Sequence, residues 1–313
     1  MMPASTLGHV RVIAISFFNI RKKWGQQLNW LEVNGAVIRY ELRRGESLPT
    51  ILIHEMGGAL ESWDRVWSLL PANQTLLRYD TRGSGLSEKL LEAPDIDTHA
   101  DDLAELLDAL GIVEPVVLAG VAVGAGIAIR FAARYPQRVR ALVAMAPACG
   151  VAPEARDATL ARATMIREHG LRDVIPSLLE RTWPPALQTD ASWYEAFRNR
   201  WLTADAASFA AIFAMLAKMN LDQDIARLPE RSVLVAGSYD DLRPPREIDR
   251  LSAFADHVQS IHVASGHFMS LQSPKWVATL IQEFASGQDD AAEIYRRFIA
   301  DAANRCGSAQ HAA

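Results

Sequence analysis

The chain has 313 residues, half of them hydrophobic and 22% charged, with a formal net charge of −5. That is enough apolar material for one large core, and a single domain carrying an insertion fits it better than a string of modules. The acidic balance, with Lys and Arg scattered rather than clustered, excludes nucleic acid or an anionic membrane as the main partner; it points to a small-molecule substrate and leaves a homodimer open.

Near the start, residues 10–20 (VRVIAISFFNI) form the only run that suggests a membrane. The run is too short to span a bilayer, contains Arg11, and has its basic cluster Arg21-Lys22-Lys23 after it, not before it as in a signal peptide. Residues 1–27 are therefore expected to be an extension without stable membrane insertion. Two cysteines, Cys149 and Cys306, are too few and too far apart for a disulfide framework or a zinc site. A reducing compartment, the cytoplasm, is expected, with no metal and no cofactor.

Residues 28–33 and 36–42 flank Asn34-Gly35, a strong hairpin signal that predicts two antiparallel strands at a sheet edge. Strand and helix then alternate. Residues 50–54 (TILIH), 75–80 (TLLRYD), 116–120, 139–145 (VRALVAM), 232–237 (SVLVAG) and 258–263 predict parallel strands. The clearest helix covers 98–110, where Leu103, Leu106, Leu107 and Leu110 form one stripe and Gly111 stands at the C-terminal cap. Such alternation implies a mostly parallel sheet with helices on both faces.

Gly120-Val121-Ala122-Val123-Gly124 lies between a buried, valine-rich strand and a helix that runs to Pro136. This is the setting of a nucleophile elbow, G-x-S-x-G, with alanine at the tip in place of serine. Two explanations stay open: a chain altered to trap its substrate, or one that works without a serine nucleophile.

From 151 to about 227 the rhythm breaks, and helical patterns at 155–169, 171–181, 192–202 and 206–219 follow one another without a strand. An insertion after a sheet strand is most simply a cap over the carboxyl edge, where open α/β sheets bind ligands. Trp183, Trp193 and Trp201 either shape the roof of that pocket or fill the core of the cap. The expected organisation is a core of 28–150 and 228–286, a cap of 151–227, and a C-terminal helix and tail over 287–313.

Three further motifs follow in the order an elbow enzyme requires. His54-Glu55-Met56-Gly57-Gly58 comes directly after a strand, where the backbone N–H of Met56 would join that of Val123 in an oxyanion hole. Asp240, at the end of a strand in Gly237-Ser238-Tyr239-Asp240, is the acid, with Asp241 as its close rival. His267, after Gly266 and past the last strand, is the base whose tautomer Asp240 would fix. His54, Glu55, Gly57, Trp183 and Trp193 are candidates for substrate contact.

On these motifs the chain resembles the α/β-hydrolase fold family over roughly residues 28–284, and within it the small hydrolases grouped around 3-oxoadipate enol-lactonase. The run Arg78-Tyr79-Asp80-Thr81-Arg82-Gly83-Ser84-Gly85-Leu86-Ser87 is part of that resemblance, with a structural role. The resemblance implies an eight-stranded, mostly parallel sheet with a helical cap, and hydrolysis of an ester, enol-lactone or activated carbonyl through residue 122, His267 and Asp240. Two residues depart from the pattern: Ala122, and Glu55 where the family has glycine. Glu55 is expected to point into solvent; facing the pocket, it would be an extra acid or base. With alanine at 122, His267 and Asp240 still supply a general base. The alternatives are a cofactor-free lyase or decarboxylase, and a non-catalytic ligand-binding relative. Cys149 reads as a small buried thiol.

Overall fold

The computed structural model describes residues 29–287 and 289–310, with residues 304–310 described as backbone only. The N-terminal extension, with its apolar run and basic cluster, lies outside the described residues, as does the side chain of Cys306.

The first elements are β1 (Asn29–Val33), β2 (Ala36–Arg43), β3 (Thr50–Ile53), α1 (Asp64–Trp67), β4 (Leu76–Tyr79), α2 (Ile96–Ala109), β5 (Val116–Val121), α3 (Val123–Arg134) and β6 (Val139–Met145). Four helices follow: α4 (Arg156–His169), α5 (Ile175–Thr182), α6 (Ala191–Leu202) and α7 (Ala206–Lys218). The chain then resumes alternation with β7 (Ser232–Gly237), α8 (Pro245–Ser252), β8 (Gln259–Val263), α9 (Met269–Gln272), α10 (Pro274–Ser286) and α11 (Ala291–Gln310).

The eight strands form one sheet in the order β1-β2-β4-β3-β5-β6-β7-β8. β2 pairs antiparallel with both β1 and β4, and the other neighbours are parallel, so β2 alone runs against the rest. The β1–β2 hairpin closes through Asn34 and Gly35 at φ 47° and 70°. Both central residues of a tight twisted hairpin need positive φ, which Asn and Gly tolerate.

The inner strands bury both faces because helices cover both. On one side α2, α3 and α8 bring Leu103, Leu106, Leu107, Ile127, Phe131, Ile248 and Leu251 against the sheet. On the other, α1, α10 and α11 bring Val66, Trp276, Ile281, Phe284 and Ile294. Asp95 begins α2 by accepting the N–H of Asp97, one of the helix-end donors that would otherwise lack a partner. A third cluster belongs to the helices between β6 and β7: Leu178, Trp183, Phe197, Trp201 and Phe209 pack together with Phe268. α7 joins this cluster to the sheet, since its Ile212, Met215 and Leu216 belong to the α2/α3 side of the core.

Among the described residues no single helix is long and apolar enough to cross a membrane. The successive helices α6 and α7 meet the length and composition test only together and are bent by 91° at their junction.

One buried group gives the fold a pH dependence. His99 on α2 is 2% exposed and its Nε2 has no partner. Burial drives its pKa from 6.5 down to about 4, against the opposing pull of Asp102. The unfolded chain therefore takes up a proton below 6.5 that the native state refuses until about pH 4. Native stability falls over that window by up to about 3 kcal/mol. His99→Leu is expected to lose less stability than the parent between pH 7 and 4.5, read as urea midpoints. Parallel losses in the two proteins would clear His99 of the effect.

Candidate active site

The strand order determines where the site lies. β4 pairs on one side of β3 and β5 on the other, so the chain leaves β3 for one flank and returns to β5 on the opposite one. At such a switch the connections diverge and leave a crevice at the carboxyl ends of the strands. Ile53 ends β3 directly beside Gly120 of β5, which places the loop carrying Met56 against the turn at Ala122.

That turn has the geometry of a nucleophile elbow. Ala122 sits at φ 53°, ψ −113°, a conformation costing an L-residue about 1–3 kcal/mol. Its N–H donates to the Met145 carbonyl, and its own carbonyl accepts from the N–H of Gly126 and Ala148. These bonds, to β6 and to α3, hold the strained residue in place. The flanking glycines are required by close approach: a Cβ on Gly120 would lie 2.5 Å from the Gly124 carbonyl oxygen, and one on Gly124 would lie 2.3 Å from that of Ile53. Val123 opens α3, so its N–H has no partner inside the helix.

The expected acid and base come from the loops that follow β7 and β8. His267 Nδ1 donates to Asp240 Oδ2 at 2.7 Å, and both side chains are buried. Asp240 Oδ1 accepts the N–H groups of Leu242 and Arg243 at 2.9 and 3.0 Å. Burial by itself would raise the Asp240 carboxyl, but the charge and hydrogen bond of His267 and these two N–H bonds outweigh it and hold the pKa below the usual carboxylate value. Asp241, the rival acid, is exposed and engages Arg181 through its backbone instead. The His267 loop is pinned to the end of α5, where its N–H and the Gln272 amide both donate to the Thr182 carbonyl. Phe268 meets the imidazole edge-on, with centroids 4.9 Å apart.

A cavity of about 330 Å³ brings the pieces together. Ala122, His267, Met56 and Val123 all line it, and the helices between β6 and β7 supply much of its remaining wall, including Arg162, Thr182, Trp201 and Leu216. Among the described residues, the N–H groups of Met56 and Val123 donate to no other group, so both are free to receive an oxyanion.

Several expected contacts are corrected. His54 is not at the cavity wall. It is buried, with Nδ1 donating to the Glu55 carbonyl and Nε2 accepting the N–H of Thr81 at 3.0 Å, and so ties the Met56 loop to the Asp80-Thr81-Arg82 turn. Asp80 holds the same region by accepting from the N–H of Leu60 and Leu86. Glu55 faces neither solvent nor cavity; it is 1% exposed, and its Oε1 accepts the Ser62 hydroxyl at 2.7 Å. Gly57 is covered by Trp201 and Phe209, whose rings leave no room for a side chain there. Trp183 is absorbed into the aromatic cluster with Tyr194, Phe197 and Phe268, and Trp193 lies under the Arg65 guanidinium. Of the three tryptophans only Trp201 reaches the cavity, because helix packing turns the others inward or outward. Cys149 is a buried free thiol with its pKa pushed up to about 12 by burial, too high for a nucleophile.

Three arginines at the cavity, Arg162, Arg181 and Arg243, have no sequence signature. Arg243 alone had a local cue, its place three residues after the acid.

Elbow, acid and base follow one another in the order α/β hydrolases use, and the sheet has the matching switch point. The chain belongs to this class through the family described as serine aminopeptidase, S33, which matches residues 51–268. A 2-hydroxymuconate semialdehyde hydrolase of a Pseudomonas species is 28% identical over 285 residues, covering 83% of this chain and 95% of that one. Among solved structures, an esterase from Thermogutta terrifontis superposes with a TM-score of 0.76 at 23% identity, over 83% of this chain and 98% of its own. The enol-lactonase from Burkholderia xenovorans superposes with a TM-score of 0.76 at 19% identity, over 82% and 100%. The protein is thus a member of a hydrolase family, and alanine stands at the tip of its strained turn after β5.

Proposed function

We propose that the cavity above Ala122 hydrolyses a small ester, enol-lactone or activated carbonyl compound. The observation that carries this reading is the 2.7 Å His267–Asp240 bond beside a cavity shared with the strained residue 122 and two unpartnered N–H groups. In the chain as it stands, His267 takes a proton from water and the hydroxide formed adds to the carbonyl carbon. The resulting oxyanion rests on the N–H of Met56 and Val123. Collapse breaks the bond to the leaving group, which receives the proton from the imidazolium that Asp240 stabilises. Such general-base action contributes about 10²- to 10⁴-fold, which suits an already activated substrate. A serine at 122 would instead attack the carbonyl itself, with His267 accepting its proton and water later releasing the acyl group.

The methyl group at 122 favours a second reading as well. With no hydroxyl on residue 122, the imidazole is free to draw a proton from an acidic C–H or O–H of the substrate, a lyase-type step. The free buried thiol of Cys149 supports placing the protein in the cytoplasm. The test is hydrolysis of p-nitrophenyl acetate and of a small enol-lactone by the parent and by Ala122→Ser. Turnover in either form supports a hydrolase, and no turnover by either folded protein overturns it.

A further inference from the structure

The charge of the cavity wall has one sign. Arg162 from α4, Arg181 from α5 and Arg243 from the Asp240 turn all line it, and no Asp or Glu does. The buried guanidinium groups of the sheet are neutralised, Arg39 by Glu61 and Asp80 and Arg78 by Glu41 and Asp64. The cavity arginines are more open, Arg162 and Arg243 half-buried and Arg181 exposed. Arg181 donates to the Asp241 carbonyl at 2.8 Å and Arg243 to the Gly150 carbonyl at 2.9 Å. Arg162, half-buried, donates to nothing among the described residues, and none of the three pairs with a carboxylate. Carbonyl contacts orient a guanidinium but leave its charge in place. Burial presses the Arg243 pKa below its ordinary value, against the opposing charges of Cys149, Glu247 and Asp240 and with a smaller push from Arg181.

The wall's unused polar groups are therefore chiefly donors, and a ligand that satisfies them must be rich in acceptors and negatively charged. Leu178, Phe213, Leu216 and Phe268 leave an apolar stretch for its carbon skeleton. At about 330 Å³ the cavity lies near the lower end of the range of ~300–1,000 Å³ for ligand clefts, so the ligand is small.

Resting on the hydrolase reading of the same cavity, we propose that the substrate is a small acyl compound carrying a carboxylate, and that Arg162, backed by Arg181 and Arg243, binds this carboxylate and selects against neutral esters. Arg162 is the seat of selectivity because it alone of the three has both donor edges free, and a planar fork matches a carboxylate with two parallel bonds.

Two measurements keep this proposal apart from the hydrolase reading. In the Ala122→Ser background, kcat/KM is determined for p-nitrophenyl acetate and for mono-p-nitrophenyl glutarate. The anionic ester is expected to be preferred, and Arg162→Gln to lower the glutarate-to-acetate ratio by roughly ten- to a hundred-fold, chiefly through KM. Arg162→Lys, which keeps the charge without the fork, is expected to recover part of that ratio. Separately, glutarate itself is titrated into the parent by calorimetry, with binding expected to weaken in Arg162→Gln and in high salt. An unchanged ratio together with no measurable glutarate binding overturns the carboxylate site, even where acetate is turned over. Glutarate binding that depends on Arg162, in a protein whose serine form hydrolyses neither ester, upholds the site and removes the hydrolase reading.

Discussion

Ala122→Ser is expected to raise p-nitrophenyl acetate hydrolysis by at least about a thousand-fold over the parent. Loss of a triad serine costs on the order of 10⁶ in kcat, while general-base action on water recovers only part of that. The remaining parts of a serine mechanism are already in place: the His267–Asp240 bond, the free N–H groups of Met56 and Val123, and a cavity shared by all of them. The substitution adds one oxygen to a Cβ that already occupies the strained φ 53° conformation, so no new backbone cost arises. Stability is expected to stay within about 0.5–1 kcal/mol of the parent. Release of p-nitrophenolate gives the rate, and mass spectrometry after treatment with phenylmethylsulfonyl fluoride reports whether the new hydroxyl is nucleophilic. No gain in rate and no sulfonyl adduct, in a protein with the parent's circular dichroism, would show that the imidazole does not reach residue 122.

What the sequence made legible is what short-range physics determines. Short apolar runs between breakers, with the Asn34-Gly35 hairpin signal for β1 and β2, located all eight strands to within a residue or two; for the inner strands, burial on both faces of a parallel sheet leaves few other residue types. The elbow was readable because Gly120 and Gly124 are imposed by backbone contacts with no alternative solution. Asp240 and His267 were readable because each sits at a strand end, where topology brings distant loops to one edge. The substrate-facing side chains were not readable in this way. Trp183, Trp193 and Trp201 lie on similar helices, and only the packing of Phe197 and Phe268 decides that Trp183 is interior and Trp201 reaches the cavity. Glu55 looked like an exposed charge because nothing nearby in sequence announces Ser62, seven residues on, as its partner. The three arginines come from separate segments, and their convergence is a property of the fold alone.

In the Ala122→Ser form, Asp240→Asn is expected to lower kcat by about 10⁴-fold while leaving the fold intact, and His267→Ala to lower it at least as far. The reason for the first lies in the hydrogen bonds around residue 240. One oxygen accepts from the N–H groups of Leu242 and Arg243, so an asparagine must place its carbonyl there and turn its NH₂ toward His267. Nδ1 then becomes an acceptor, the ring proton moves to Nε2, and the nitrogen that should take the serine proton is already occupied. A second readout separates this tautomer effect from simple loosening. The Asp240 carboxyl is held below its usual pKa in the folded chain, so the stability it contributes is present above the unfolded carboxylate pKa and is lost as pH falls through the folded one. Asp240→Asn should therefore cost stability at pH 7 and progressively less as the pH falls below the ordinary carboxylate value, measured as the difference in urea midpoint from the Ala122→Ser parent. A rate loss below ten-fold, or a stability cost that does not shrink on acidification, would mean that the 2.7 Å contact does not couple an ionised aspartate to the base.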